Sequence, residues 1–282
     1  MRQFAGLALL AVIAAAPAAS LDWSKDPVAQ STAQLAASAV VAAPASSPLG
    51  AQRGGGGTAG QFDTYVFSLE WTPAFCEGKS GLPECTSMTP DRFDAKNLAL
   101  HGLWPDKNND SSHSYGYCGV DSKTQSLDNG STWCRMPALN LSGPVLSRLT
   151  TAMPGVASCL ENHEWYKHGS CSGYTPDDYF AQAAALVEAV SASNFGRFLT
   201  ARVGRTIAAS DLLDAFETDF GPGTRNYVSL SCTKARGVSL LLDVRLHLSH
   251  PLRPASELAK MLLPTAGSGN CPASFQIDTA GR

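Results

Sequence analysis

All eight cysteines of this 282-residue chain lie between Cys76 and Cys271. An even number of cysteines confined to one stretch, in a chain marked for export, predicts a single domain stapled by four disulfides. No Cys-x-x-Cys pair occurs, which argues against a zinc site of the finger or ribbon kind. Spacing alone leaves the pairing open, because eight cysteines allow about 105 arrangements.

The export mark is at the start. Arg2 supplies a basic end, Phe4 to Ala16 are almost all apolar, and small residues follow with an Ala-x-Ala pattern at Ala16-Pro17-Ala18. That layout predicts a signal peptide over residues 1–19, cleaved between Ala18 and Ser20. The apolar run is shorter than the roughly 20 residues a spanning helix needs. No later stretch is long and apolar enough either, so no membrane association is expected after cleavage. Residues 20–60 are rich in Ala, Ser, Pro and Gly and end in the run Gly54 to Gly57. They carry too few large apolar side chains to offset ordering entropy, which predicts a flexible leader. The folded domain is then expected at 61–282.

Within it, Thr64 to Trp71 alternates as a strand with Tyr65, Phe67 and Leu69 on one face. Asn97 to Trp104 predicts a second strand, ended by Pro105. Asp106 to Pro137 reads as a loop. Ser142 is expected to cap a helix stopping before Pro154. Thr175-Pro176-Asp177-Asp178 starts a helix running to about Ala192, and Ser210 begins one ending near Gly221. Tyr227 to Cys232 and Ser239 to Ser249 form a hairpin, with Leu240, Leu242, Val244, Leu246 and Leu248 on one face by the two-residue period. Strands and helices are segregated. The expected class is α+β, a central antiparallel sheet packed with several helices and stapled by disulfides.

Two segments carry chemistry: Leu100-His101-Gly102-Leu103-Trp104-Pro105, and Asn162-His163-Glu164-Trp165-Tyr166-Lys167-His168-Gly169-Ser170-Cys171. On an α-helix at about 100° per residue, His163, Glu164, Lys167 and His168 fit within an arc of roughly 140°. One face would present two imidazoles, a carboxylate and an ammonium. His163-Glu164 begins like the zinc-protease pattern H-E-x-x-H, but Lys167 stands where the second histidine is needed, and its charge would repel a metal. Transesterification of RNA fits better. It needs a base for the 2′-hydroxyl, an acid for the 5′-oxygen, and charge stabilisation at phosphorus, with no cofactor and no metal. The net charge of −3 excludes a strong cationic field, so a polyanion must be engaged locally, over a few nucleotides.

These residues resemble the ribonuclease T2 family, whose active-site segments have the form H-G-L-W-P and H-E-W-x-K-H-G-x-C. Trp71-Thr72-Pro73 followed by Cys76 is similar to a strand end of that family, and Asn270-Cys271-Pro272 to Ile277-Asp278 resembles its bacterial periplasmic, ribonuclease I-like branch. The likeness covers about Phe62 to Gly281. It implies His168 as general base and His101 as general acid, with Glu164 and Lys167 stabilising the phosphorane-like state and His163 binding the phosphate. Trp104 and Trp165 are assigned mainly to packing. Trp104 is also kept as a substrate-binding residue, because an exposed indole can stack on a base. His113, His247 and His250 read as ordinary loop or sheet residues. The family framework implies disulfides Cys118–Cys171, Cys232–Cys271, Cys76–Cys85 and Cys134–Cys159. It also implies a monomeric, periplasmic or secreted endoribonuclease with little base specificity and no stable protein partner. A binding or toxin-like module that had lost catalysis would show a replaced histidine, and none is replaced.

Overall fold

The computed structural model describes residues 57–107, 115–265 and 267–281. The expected signal peptide, nearly all of the leader and His113 lie outside the described residues. Contacts with the domain begin before residue 61: the Gly60 amide donates to the Cys171 carbonyl at 2.9 Å, and the Tyr115 hydroxyl donates to the Thr58 carbonyl at 2.8 Å.

The strands are β1 (Thr64–Glu70), β2 (Ala99–Asp106), β3 (Thr206–Ala208), β4 (Val228–Ala235), β5 (Val238–Ser249), β6 (Leu262–Leu263) and β7 (Ser274–Gln276). They make one seven-stranded sheet in the order β2-β1-β5-β7-β3, with β4 and β6 also paired to β5. The sheet is mixed rather than wholly antiparallel, because β5 meets β7 in parallel at Leu240 and Gln276. Tyr65, Phe67 and Leu69 are fully buried, as the alternation predicts. The principal helices are α1 (Thr72–Lys79), α2 (Gly143–Ala152), α3 (Pro176–Ala192), α4 (Asn194–Thr200) and α5 (Ala209–Phe220). The Thr175 hydroxyl caps α3 by accepting from the Asp178 amide, and the helix buries Tyr179, Phe180, Ala183, Leu186, Val187 and Val190. Each large apolar side chain so buried contributes about 1.5–3 kcal/mol. Tyr179 also donates to the Leu103 carbonyl at 2.7 Å, which locks α3 to β2. The four disulfides pair Cys76–Cys85, Cys118–Cys171, Cys134–Cys159 and Cys232–Cys271.

Several local expectations need correction. β2 does not stop at Trp104 but runs through Pro105 to Asp106. It is the sheet's edge strand, where proline's missing donor costs no ladder bond. Ser142 occupies the cap position of α2, yet its side chain makes no capping bond. α5 starts at Ala209, so Ser210 lies inside it rather than at its cap. The hairpin turn is the pair Arg236 (φ 50°) and Gly237 (φ 79°), both in the left-handed region that a tight right-twisting hairpin demands. The alternation along β5 breaks at Leu242. Ser231 faces Asp243 while Cys232 faces Leu241, so Leu242 is the extra residue of a β-bulge. Leu240 and Leu241 are therefore both buried, and Leu242 is not.

Candidate active site

A second bulge makes the site. In the β1–β2 ladder Ser68 faces Gly102 and Leu69 faces Leu100, so His101 is the unpaired extra residue. Bulges re-aim side chains, and this one frees the His101 imidazole from strict alternation. Its ring lies edge-on to Trp104 at 5.3 Å, while Trp104 meets the His168 ring at 5.2 Å in a tilted arrangement. The indole therefore packs against both imidazoles. Its Nε1 donates to Glu164 Oε2 at 2.6 Å. Gly102 makes this approach possible, because a Cβ there would collide with both Glu164 Oε2 and Trp104 Nε1.

The second segment is not a plain α-helix. Cys159 enters with a left-handed backbone (φ 63°), a helical turn spans Leu160–His163, and Glu164–His168 winds as a π-helix before a tight turn at Gly169–Cys171. On an α-helix His163 and His168 would point about 140° apart. The i→i+5 hydrogen bonding of a π turn brings residues five apart onto one side instead. The two rings meet edge-to-face at 5.7 Å. Glu164 is fully buried, not displayed on a polar face as the α-helical arc implied.

The structure thus gathers His101, Trp104, His163, Glu164 and His168. The Lys167 ammonium bears on Glu164 and His168 through its charge and makes no hydrogen bond to any described residue. Trp165 packs away from the site against Tyr179, at 5.8 Å.

The two histidines outermost in this array have opposite electrostatics. Burial pulls the His101 imidazole down, but the Asp243 carboxylate, followed by Glu164 and Glu70, outweighs it and holds the pKa up at about 9. The Asp243 Oδ1 lies 3.8 Å from His101 Nδ1, an ion-pair distance too long for a hydrogen bond. Burial pushes His168 well below its ordinary value, and the nearby cationic groups of His163, Lys167 and His101 push it further. At neutral pH one ring carries a proton and the other does not. Burial raises the Glu164 carboxyl, against the lowering pull of His101, His163, Trp104 and Lys167. Its Oε1 is buried with no hydrogen-bond partner. Such a group can hold a proton and offer it to an anion.

Three acidic residues that sequence reasoning missed build the surroundings. Asp128, its side chain 3% exposed, accepts from His163 Nδ1 at 2.6 Å, from Trp133 Nε1 at 2.7 Å and from the Tyr117 hydroxyl. Burial alone would raise its pKa, but the His163, Tyr117 and Trp133 donors hold it down at about 2. Glu70 and Asp243 face one another across β1 and β5 beside His101, and burial lifts Glu70 to about 8. Asp128 lies in a loop where no periodicity marks it. Asp243, by contrast, belongs to a legible pattern: Asp243, Arg245 and His247 alternate along β5 with core residues, so they share the face that carries the site.

Two concavities open from this array. One of about 490 Å³ is lined by His101, Glu70, Glu84, Leu100 and Trp133 among others. The other, about 310 Å³, is lined by His168, Trp104, Tyr115, Asp106, Arg245 and His247, with Val66 and Pro105. Potential metal donors cluster as His163, Glu164, His168 and as Glu70, His101, Asp243, each set with its donor atoms within 4.8 Å of one another. The Lys167 ammonium beside the first set opposes a cation there.

The model of the Ribonuclease T2 family matches residues 62–257, and the chain belongs to that family. Membership makes it a T2-type endoribonuclease. The matched region ends before the tail residues from Asn270 onward. The chain is 31% identical over 242 residues to Ribonuclease I of Escherichia coli (strain K12), covering 79% of this chain and 88% of that protein. It is 25% identical over 187 residues to Ribonuclease S-7 of Nicotiana alata, covering 66% and 76%. Among solved structures, RNase NT in complex with 5′-AMP shares the fold at a TM-score of 0.51 and 18% identity, over 78% of this chain and 99% of that one. The SF11-RNase of Nicotiana alata, associated with self-incompatibility, does so at a TM-score of 0.50 and 17% identity, over 79% and 100%.

Proposed function

We propose that the chain cleaves single-stranded RNA by metal-independent transesterification through a 2′,3′-cyclic phosphate, with little base preference. The observation that carries this reading is the opposed protonation of His101 and His168, two rings that both pack against Trp104. Neutral His168 takes the 2′-hydroxyl proton, and the resulting oxygen attacks phosphorus. The bond from phosphorus to the 5′-oxygen breaks as His101 hands its proton to that oxygen. The products are a cyclic phosphate and a free 5′-hydroxyl.

Charge accumulates on the phosphoryl oxygens between these events. The Lys167 ammonium and the raised Glu164 carboxyl stabilise it there, and His163 binds the phosphate while Asp128 fixes its ring. Trp104 keeps Glu164 in place through its indole N–H, and its ring remains available to a base. No step in this scheme uses a cofactor or a second protein. Among the described residues no helix is long and apolar enough to cross a membrane. Together with the export mark at residues 1–19, this supports a periplasmic or secreted enzyme.

The test is incubation of oxidised protein with single-stranded RNA and with DNA in excess EDTA, followed by end-group analysis. Cleaved RNA bearing 2′,3′-cyclic ends, beside intact DNA, is expected. Intact RNA, or cleavage that stops on chelation, overturns the proposal.

A further inference from the structure

The cavity beside His168 contains a cation that the mechanism does not use. Arg245 lies on β5 opposite Ser68 of β1, and His247 lies opposite Val66, on the face that also carries Trp104. The Arg245 guanidinium stands 5.7 Å from the Trp104 ring. It makes no hydrogen bond to any described residue, and its Nε is buried without a partner. Among the described residues its one ion-pair partner, Asp243, is at 3.8 Å, beyond hydrogen-bond range. The side chain is 42% exposed, so the far end of the fork faces the opening while its inner N–H is already stripped of water. A desolvated donor left unmade is costly, and an anion entering the cavity would complete it. Lys107 brings a second positive charge, its Nζ 5.2 Å from the ring of Tyr115, which also lines the cavity. Asp106 lines the same cavity and opposes an anion near itself, which leaves Arg245 as the anchoring end.

We propose that Arg245, with Lys107 and His247 around it, forms a second phosphate subsite that holds the phosphate on the 5′ side of the reacting nucleoside. The inference rests on the RNA-cleaving reading above. The direction follows from place: the cavity opens beside His168, the group that takes the 2′-hydroxyl proton, and not beside His101, which serves the leaving 5′-oxygen. A phosphate reaching Arg245 therefore belongs upstream of the scissile bond. In a chain of net charge −3, which offers no general field for a polyanion, one local cation at this point selects for a substrate that continues upstream.

The test compares kcat/KM for the dinucleotide ApA with that for its 5′-phosphorylated form, pApA. The wild-type protein should favour pApA about tenfold at low salt, the scale of one charge-assisted phosphate contact. That advantage should shrink as salt rises. In Arg245→Gln the pApA/ApA ratio should fall towards one, and in Arg245→Lys part of it should return. The ratio is internal to each sample, so partial loss of folded enzyme cancels. A wild-type ratio near one with both substrates cleaved overturns the subsite alone, as does a full ratio in Arg245→Gln. Failure of wild-type protein to cleave either substrate, or longer RNA, overturns the subsite together with the reading beneath it.

Discussion

Replacing Asp243 by asparagine should move one limb of the pH–rate profile and leave the other in place. Two unit charges 3.8 Å apart attract by about 4 kcal/mol at an effective dielectric of about 20. That is about three pH units at roughly 1.36 kcal/mol each. Burial works against it, and the net outcome lifts His101 from 6.5 to about 9. Burial raises the other carboxyls near the ring, Glu164 and Glu70, the latter to about 8. Asp243 supplies the largest single upward contribution to His101, ahead of both. Because the His101 side chain is 34% exposed, solvent screening trims its share, and we expect a loss of about one to two pH units.

In the wild-type enzyme kcat/KM should fall on the alkaline side as His101 loses its proton near pH 9. It should fall on the acid side only well below 6.5, where His168 gains one. The asparagine variant should bring the alkaline limb down to about pH 7–8 while the acid limb stays where it was. The assay is kcat/KM on one dinucleotide from pH 4 to pH 10. An unmoved alkaline limb, or movement of the acid limb instead, would refute the pairing of Asp243 with His101.

Three further outcomes are expected. Gly102→Ala drives a methyl group into both Glu164 Oε2 and Trp104 Nε1, so kcat should drop about a hundredfold at a stability cost of about 1–3 kcal/mol; steady-state kinetics and a thermal melt separate the two effects. Asp128→Asn should cost about 1.5–3 kcal/mol in urea unfolding at neutral pH, because a buried carboxylate loses charge-assisted bonds. Since its folded pKa of about 2 is below the ordinary 3.8, that stability is present above about pH 4 and vanishes as pH falls through 2, so the two proteins should converge in acid. Replacing both Cys118 and Cys171 by serine opens a link spanning 53 residues and should cost about 4 kcal/mol, against about 2.6 kcal/mol for Cys76 and Cys85, which are 9 apart; equilibrium melts give the ranking.

The candidate groups of the site could be named from the sequence because they are residue types in two short runs. An imidazole, a carboxyl or an ammonium has its reactivity wherever the chain places it, so His101, His163, Glu164, Lys167 and His168 could be named from order alone. The strands around Phe67 and Leu246 and the capped start of α3 were legible too, since burial period and capping are local properties. Direction and electrostatics were not. The extra residue at His101, the slip at Leu242 and the π winding from Glu164 to His168 each depend on pairing or packing with segments remote in sequence. Such departures turn a side chain by a large angle without altering any local signature. Likewise, His101 holds its proton because of Asp243, Glu164 and Glu70, and His168 lacks one because of burial and the charges of His163, Lys167 and His101, groups brought together from separate strands and a helical turn. Residue order supplied the candidate reacting groups. Their protonation states came from neighbours that only the folded sheet assembles, because charge acts through space and not along the chain.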